Sequence, residues 1–231
     1  MVPVSQYRNV RIEFSKTGRA KFISHLDLNR TLKTAFTRAK VPIWYTNGFN
    51  PHPKLVFSLP LALGAESMCE FLDIRVLPPF VGNDIKKALN ANLPNDIRIK
   101  KVYTPQTALE DMHWAVYDFV FHCKDASDEL AQKIKDLLSA PLVIEKRTKK
   151  TKSGLIEADI SEGIKAPETL YEDGKIKLTV TLCTRTDGYV NPEYIIKAMS
   201  RYLGVDFEGK DEYYSVMKRI ALKSDLTTVF E

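Results

Sequence analysis

Three features of the sequence predict an α+β fold made of two ferredoxin-like (βαββαβ) units in tandem, with antiparallel sheets covered by helices on one face. Apolar residues recur with a period near two in some segments and near 3.6 in others. The segments fall in the order βαββαβ over residues 1–104. Nearly the same order returns over residues 113–231, as element order only, since the halves share no residue-level repeat.

The opening segment, Tyr7 to Phe14, sets Val10, Ile12 and Phe14 on one side and Arg11 and Glu13 on the other, as a half-buried strand does. Thr17-Gly18 turns the chain, and Ser24 with Asp27 three residues on makes a capping-box-like helix start. On a helical projection Leu28, Leu32, Ala35, Phe36 and Ala39 form the apolar face, while Arg30, Lys33, Thr37 and Arg38 point outward. Pro42 ends the helix. Leu55–Leu59 and Cys69–Leu77 read as strands, Asn83–Asn92 as a helix stopped by Pro94, and Ile97–Tyr103 as the last strand of the first unit.

The second unit follows a connection over Thr104 to His113. Trp114–Cys123 reads as a strand and Ser127–Leu138 as a helix. Leu142–Lys146 and Leu155–Ile160 read as short strands of an inserted hairpin, and Lys175–Thr184 as a longer strand entered through a turn at Gly174. Asn191, Pro192 and Glu193 place a cap and an N1 proline at the start of a helix running to Leu203 before Gly204. Tyr213–Leu222 is the final strand.

Composition narrows the class. With 231 residues, 44% hydrophobic and 27% charged, the chain can bury a core in each half and is not a disordered segment. No apolar run approaches the ~20 residues of a membrane span, and Met1 to Tyr7 contains no apolar signal region, so a cytoplasmic protein without membrane contact is expected. Cys69, Cys123 and Cys183 are too far apart for a zinc motif and odd in number, which suits buried structural thiols. Residues 1–54 carry ten Lys or Arg against Glu13 and Asp27, a local balance of +8 in a chain of net +5. A basic lobe of this kind suits a phosphate-bearing partner. Lys146, Arg147, Lys149, Lys150 and Lys152 put five further cations into seven residues at the expected hairpin tip, where they would either be simply solvated or grip a phosphate backbone.

The densest polar constellation lies between Phe22 and Asp73. It reads FISHLDLNR, then RAKVPIWYTNGFNPHPKLVFSLPLALG, then Glu66-Ser67 and Glu70 to Asp73. Asn47-Gly48 is a strong turn signal, and Pro51 and Pro53 stiffen the chain on either side of His52. The run from Ser24-His25-Leu26-Asp27 through Arg30, Arg38-Ala39, Pro42, Tyr45, Gly48-Phe49-Asn50-Pro51-His52-Pro53, Pro60-Leu61, Gly64, Ser67, Glu70 and Asp73 resembles the signature of the radical-SAM-linked protein family. Members of that family occur as free-standing proteins or as C-terminal extensions of radical-SAM enzymes, so the resemblance implies a radical-SAM protein as partner. A more distant similarity, in architecture and in the histidine of the first helix, is to the repeat-processing endoribonucleases of CRISPR systems.

The candidate chemical groups are few. His25 projects onto the apolar side of its helix, where a satisfied core histidine is the simpler reading than a catalytic base. His52 sits in a loop with Asn47 and Asn50 and is the better candidate for ligand contact. No ligand spacing supports a metal site built from His25, His52 and Asp27. There is no cluster of three close cysteines, no P-loop, no nucleophile elbow and no His-Glu-x-x-His motif, so no cofactor is expected and the chain cannot itself be the radical enzyme.

These observations lead to an accessory RNA-binding module that works with a radical-SAM enzyme, in modification of transfer or ribosomal RNA. Arg30, Arg38, Asn47, Gly48, Phe49, Asn50, His52 and Lys54 would form its main contact surface. Two alternatives stand beside it: a metal-independent endoribonuclease with His25 or His52 as base, and a protein-only docking scaffold for the radical-SAM partner.

Overall fold

Val10, Ile12 and Phe14 are wholly buried along β1 (Arg8–Lys16), the strand around which the first unit is built. The computed structural model describes residues 3–147, 154–207 and 212–231. The chain divides into two units, Met1–Asp111 with Glu231, and Met112–Phe230.

The first unit continues with α1 (His25–Arg38), β2 (Val56–Phe57), β3 (Glu66–Val76), α2 (Gly82–Asn90) and β4 (Ile97–Tyr103). β1 lies antiparallel between β3 and β4, and β2 pairs antiparallel with the outer edge of β3. The order β4-β1-β3-β2 is that of a ferredoxin-like fold. One face of the sheet meets Leu28, Leu32, Ala35 and Phe36 of α1 and Ile85 and Leu89 of α2, each side chain removing apolar surface worth about 1.5–3 kcal/mol for the larger ones. Ser24 caps α1 as the sequence predicts, its hydroxyl accepting from the Asp27 amide at 3.1 Å. The helix ends at Arg38, with a left-handed Lys40 (φ 52°) two residues on and Pro42 just beyond. α2 begins at Gly82 because its Cα approaches β4 so closely that a Cβ there would lie 2.4 Å from the Val102 carbonyl oxygen.

The opposite face of this sheet is polar and mostly closed. Arg11 is fully buried and held bidentately by Asp73, with Nε–Oδ1 2.7 Å and Nη2–Oδ2 2.8 Å. Its remaining N–H groups donate to Thr107 and to the Glu231 carbonyl. Glu13, also buried, pairs with Lys100 at 3.0 Å and Lys101 at 3.6 Å. Next to them the Tyr103 hydroxyl is buried without a hydrogen-bond partner among the described residues. Burial pushes its pKa up to about 12, against the opposing pull of Arg11.

The second unit repeats the plan. β5 (Trp114–His122), α3 (Asp128–Ser139), β8 (Ile164–Glu172), β9 (Lys175–Cys183), α4 (Glu193–Leu203) and β10 (Tyr213–Leu222) give the strand order β10-β5-β9-β8. Phe119, Phe121, Leu178 and Val180 are buried beneath Ile134, Leu138, Ile195 and Met199 of the two helices. Ser127 caps α3 through the Leu130 amide at 3.2 Å, and the Asn191 side chain accepts from the Glu193 amide at 3.1 Å. Between α3 and β8 the hairpin β6 (Val143–Arg147) and β7 (Leu155–Asp159) is inserted, paired only with itself.

β8 is the one strand that the sequence reading leaves out. Asp173 (φ 51°) and Gly174 (φ 71°) form the turn that joins it to β9. Pro167 lies within it and obscures the strand pattern, and the sheet accommodates that proline on an edge strand with a register shift between Lys165 and Glu168. Cys69 and Cys183 are buried thiols as expected. Cys123 departs from that expectation by being half-buried, because it sits just past the end of β5. Among the described residues no helix is long and apolar enough to cross a membrane.

Two consequences for stability follow. Asp73→Ala leaves the Arg11 guanidinium buried and uncompensated and is expected to cost about 3–5 kcal/mol in urea unfolding, whereas Arg11→Met with Asp73→Leu should recover most of that loss. Tyr103→Phe removes a hydroxyl that has no partner, so its unfolding free energy should equal or exceed that of the parent; a loss of ~1 kcal/mol or more would show that the hydroxyl is bonded in solution.

Candidate functional site

The motif-rich stretch after α1 is an excursion from the sheet edge. Pro42–Trp44 already runs along β3, with an Ile43–Val76 bridge and the Trp44 amide donating to the Arg75 carbonyl at 2.8 Å. Pairing resumes at Val56 opposite Asp73. The residues between leave the edge and come back as a small antiparallel arm. Its rungs are the Lys54 amide to the Trp44 carbonyl at 3.2 Å, the Tyr45–Pro53 bridge, and the Thr46 amide to the His52 carbonyl at 2.9 Å.

The arm is braced at its neck. The Thr46 hydroxyl accepts from the His52 amide at 3.2 Å and lies 3.2 Å from His52 Nδ1, which in turn is 3.1 Å from the Asn50 carbonyl oxygen. The Asn50 carbonyl can only accept, so that contact requires Nδ1–H, while the role of the Thr46 hydroxyl toward the ring depends on the tautomer. Gly48 at the tip has φ 124°, a conformation that explains the Asn47-Gly48 pair. Asn47, Asn50 and His52 are exposed, and Phe49 is fully so, with a relative accessibility of 112%. A phenyl ring held wholly in water on a braced loop makes no contribution to its own fold, which distinguishes it from an anchoring aromatic.

At the root of the arm the face turned away from the helices carries a row of four side chains. Asn9 lies opposite Arg75, Arg75 beside Trp44, and Trp44 beside Lys54. The Trp44 ring has Lys54 Nζ 5.4 Å and the Arg75 guanidinium 5.5 Å from its centroid. These residues, with Val56, Asp73 and Ile74, line a cavity of about 180 Å³. Asn9, Arg75 and Lys54 are exposed and Trp44 half-buried. The sequence reading includes Lys54 and passes over the other three, whose only signal is a Trp flanked by strand positions of opposite register.

The histidine of the first helix is not where projection puts it. His25 is exposed, its ring edge-on to Phe57 with centroids 4.8 Å apart. As the first residue of α1 it extends past the apolar stripe, so the core-histidine reading is corrected. Arg30 is exposed and paired with Asp27 of its own helix at 3.2 Å. Arg38 is exposed on the last turn, and no hydrogen bond or ion pair among the described residues joins Arg30 or Arg38 to the arm. The basic lobe is thinner than counting suggests, because Arg11 and Lys16 are buried. Lys16 lies beside Glu70, itself bonded by Ser67 at 2.7 Å; burial lowers the Lys16 pKa and Glu70 partly restores it. Among the described residues no group of His, Cys, Asp and Glu could hold a metal.

Against known families, the model of an uncharacterized protein conserved in bacteria (DUF2344) matches residues 9–192. The chain belongs to that family. The DUF2344 match takes in the arm, the row at its root and the second unit as far as the start of α4. No curated protein matches the chain. Among solved structures it is similar to a chain in the crystal structure of a Cbf5-Nop10-Gar1 complex, at 13% identity and TM-score 0.48, over 99% of this chain and 54% of that one. The chain thus spans about half the length of that relative. A second similarity is to an unknown protein from Galdieria sulphuraria, at 11% identity and TM-score 0.28, over 92% of this chain and 98% of that one.

The remaining candidates lie on the inserted hairpin. Lys146 is half-buried, with its Nζ 5.4 Å from the Tyr194 ring centroid, and burial lowers its pKa. Arg147 closes β6, while its side chain and Lys149, Lys150 and Lys152 fall outside the described residues.

The bracing of the arm is open to test. Thr46→Val removes an acceptor and a ring contact at the neck, and each such hydrogen bond is worth about 1 kcal/mol. Hydrogen exchange at the His52 amide should accelerate by roughly fivefold while amides of β1 and β3 keep their rates. Unchanged exchange at His52 would mean that the backbone rungs alone hold the arm.

Proposed function

We propose that this protein is a cytoplasmic accessory module that binds RNA through the arm of its first unit and presents that RNA to a radical-SAM enzyme for modification. One observation carries the reading: Phe49 stands fully exposed at the tip of a hydrogen-bonded loop whose other tip residues, Asn47, Asn50 and His52, offer amide and imidazole groups. An unstacked base presents a π-face and hydrogen-bonding edges, which such a tip matches. Arg38, Lys40 and Lys54, exposed and with no ion pair among the described residues, supply positive charge on the same unit. Arg30 would join them on exchanging Asp27 for phosphate. Lys146, Arg147, Lys149, Lys150 and Lys152 would add affinity without selectivity, since phosphate contacts position a strand and do not specify it.

The radical-SAM enzyme enters through the signature between Ser24 and Asp73, much of which is structural here. Asp73 holds Arg11, Ser67 holds Glu70, and Glu66 accepts from the Gly18 amide at 2.6 Å. The motif residues left over for a partner are those of α1's first turns and the arm. A second reading, metal-independent RNA cleavage, is favoured by the exposure of both His25 and His52 and by His52 Nε2, which has no hydrogen bond among the described residues.

The test is binding of a single-stranded oligoribonucleotide by gel shift in EDTA. Phe49→Ala should keep the melting temperature within about 2 °C of the parent, as exposed substitutions do, and weaken RNA binding about tenfold. Equal binding by parent and variant would remove the stacking role. No binding by the parent at low salt, together with a stable complex with a radical-SAM protein, would leave a docking scaffold. Scission of the RNA during the incubation would select the nuclease reading.

A further inference from the structure

We infer that the row Asn9, Arg75, Trp44 and Lys54 at the root of the arm is a phosphate site, which takes a phosphate of a nucleotide chain while the arm's tip holds a base. The inference rests on the RNA-binding reading but names a separate place on the molecule, on the sheet face and not on the loop tip.

The argument begins with the cations. Arg75 and Lys54 form no ion pair among the described residues, and both are exposed. The one carboxylate lining the cavity, Asp73, is already bound bidentately by the buried Arg11 guanidinium, so it does not neutralise them. The cavity therefore carries a net positive charge that no carboxylate among the described residues pairs with. Trp44 fixes the geometry: it stands between its two strand neighbours, with a cation against the ring from each. A guanidinium resting on an indole keeps its planar N–H fork free and loses less freedom on binding, as does an ammonium held on the same ring. Asn9, directly across from Arg75, adds an amide donor.

Size selects the ligand. About 180 Å³ is less than the usual 300–1,000 Å³ of a small-molecule pocket, so it admits a phosphate and part of its sugar but not a whole nucleotide. The location supports the same ligand, because the lower rows of this sheet face are taken up by the Arg11 and Glu13 networks, Lys100 and Lys101 included, while the exposed cations of this corner have no ion pair among the described residues. Paired guanidinium hydrogen bonds to a phosphate are the contact for which Arg75 is arranged.

The phosphate could belong to an RNA strand or to a free nucleotide, and one set of titrations separates them. Trp44 is one of two tryptophans, so in a Trp114→Phe background its fluorescence reports the site. Twelve-residue oligouridylate, uridine 5′-monophosphate, inorganic phosphate and uridine are each titrated. Oligouridylate should perturb Trp44 and uridine should not. Arg75→Gln should weaken oligouridylate binding at least tenfold and reduce the slope of log K against log salt by about one, the loss of one phosphate contact. Lys54→Gln, on the exposed arm, should reduce the slope similarly and serves if Arg75→Gln melts early. Oligouridylate binding with an undiminished salt slope in both variants overturns the phosphate site and leaves the RNA reading standing. A Trp44 response to uridine monophosphate or phosphate without oligouridylate binding keeps the site and assigns it to free nucleotides, while the RNA reading fails. A silent Trp44 with all four probes overturns the site.

Discussion

A guanidinium taken wholly out of water has to be matched group for group, and the arrangement that matches Arg11 organises the first unit. Asp73 meets it across β1 and β3 with two hydrogen bonds, and Thr107 and the Glu231 carbonyl take the rest. The pair is placed by register, since Arg11 and Asp73 are direct cross-strand partners. Shifting either strand by one residue would bring Val10 or Ile12 to the polar side and leave the charge alone. The ion pair thus serves specificity of register more than net stability, because hydrophobic residues of the same size could fill the space at least as well. It also uses up the carboxylate that would otherwise face Arg75 and Lys54. The positive corner at the root of the arm exists because its one acidic neighbour is committed inward.

The same network decides which kind of surface the sheet can offer. In ferredoxin-like RNA binders the face without helices is often open, and bases stack on its aromatic side chains. Here Arg11, Glu13, Ser15, Ser67, Cys69 and Phe71 are all buried, so the middle of that face in the first unit is closed. On the proposed RNA-binding reading, contact with a ligand moves to the edge. The excursion between Trp44 and Val56 achieves this, projecting a braced arm from the strand that would otherwise end the sheet. An edge strand exposes unpaired backbone groups that invite other chains, and folding the edge back on itself as a small arm also consumes those groups.

Much of this was legible in the residues, for reasons that differ by element. Ile97–Tyr103 is read to the residue because a proline, a buried apolar start and an amphipathic pattern all agree. Ser24 and Ser127 mark helix starts because each capping hydroxyl bonds the amide three residues on, while at α4 the Asn191 side chain reaches the Glu193 amide ahead of a proline N-cap. β8 is not legible in the same way: its apolar residues are broken by Pro167, and only the Asp173-Gly174 turn implies a strand before β9. His25 is misplaced by projection because a helical wheel knows angle but not where the sheet beneath it stops. Trp44 and Arg75 lie 31 positions apart and become neighbours only through the pairing of the arm's first strand with β3, a long-range register that no local pattern encodes.

The signature residues themselves divide by this logic. Asp73, Glu70 and Ser67 point to partners within the unit and fix the strands, as Glu66 beside them fixes the turn before α1. Pro51, Pro53, Gly48 and His52, with Thr46 beside them, shape the arm and brace the backbone from which Phe49 and the asparagines project. Order imposed in advance lowers the entropy that binding must supply, which is why a rigid arm with few contacts can bind as well as a mobile one with many. A motif of this density need not mean a dense active site. Most of its residues build the support, and on the proposed reading the contacts fall to the exposed ring at the tip and to the cations at the root.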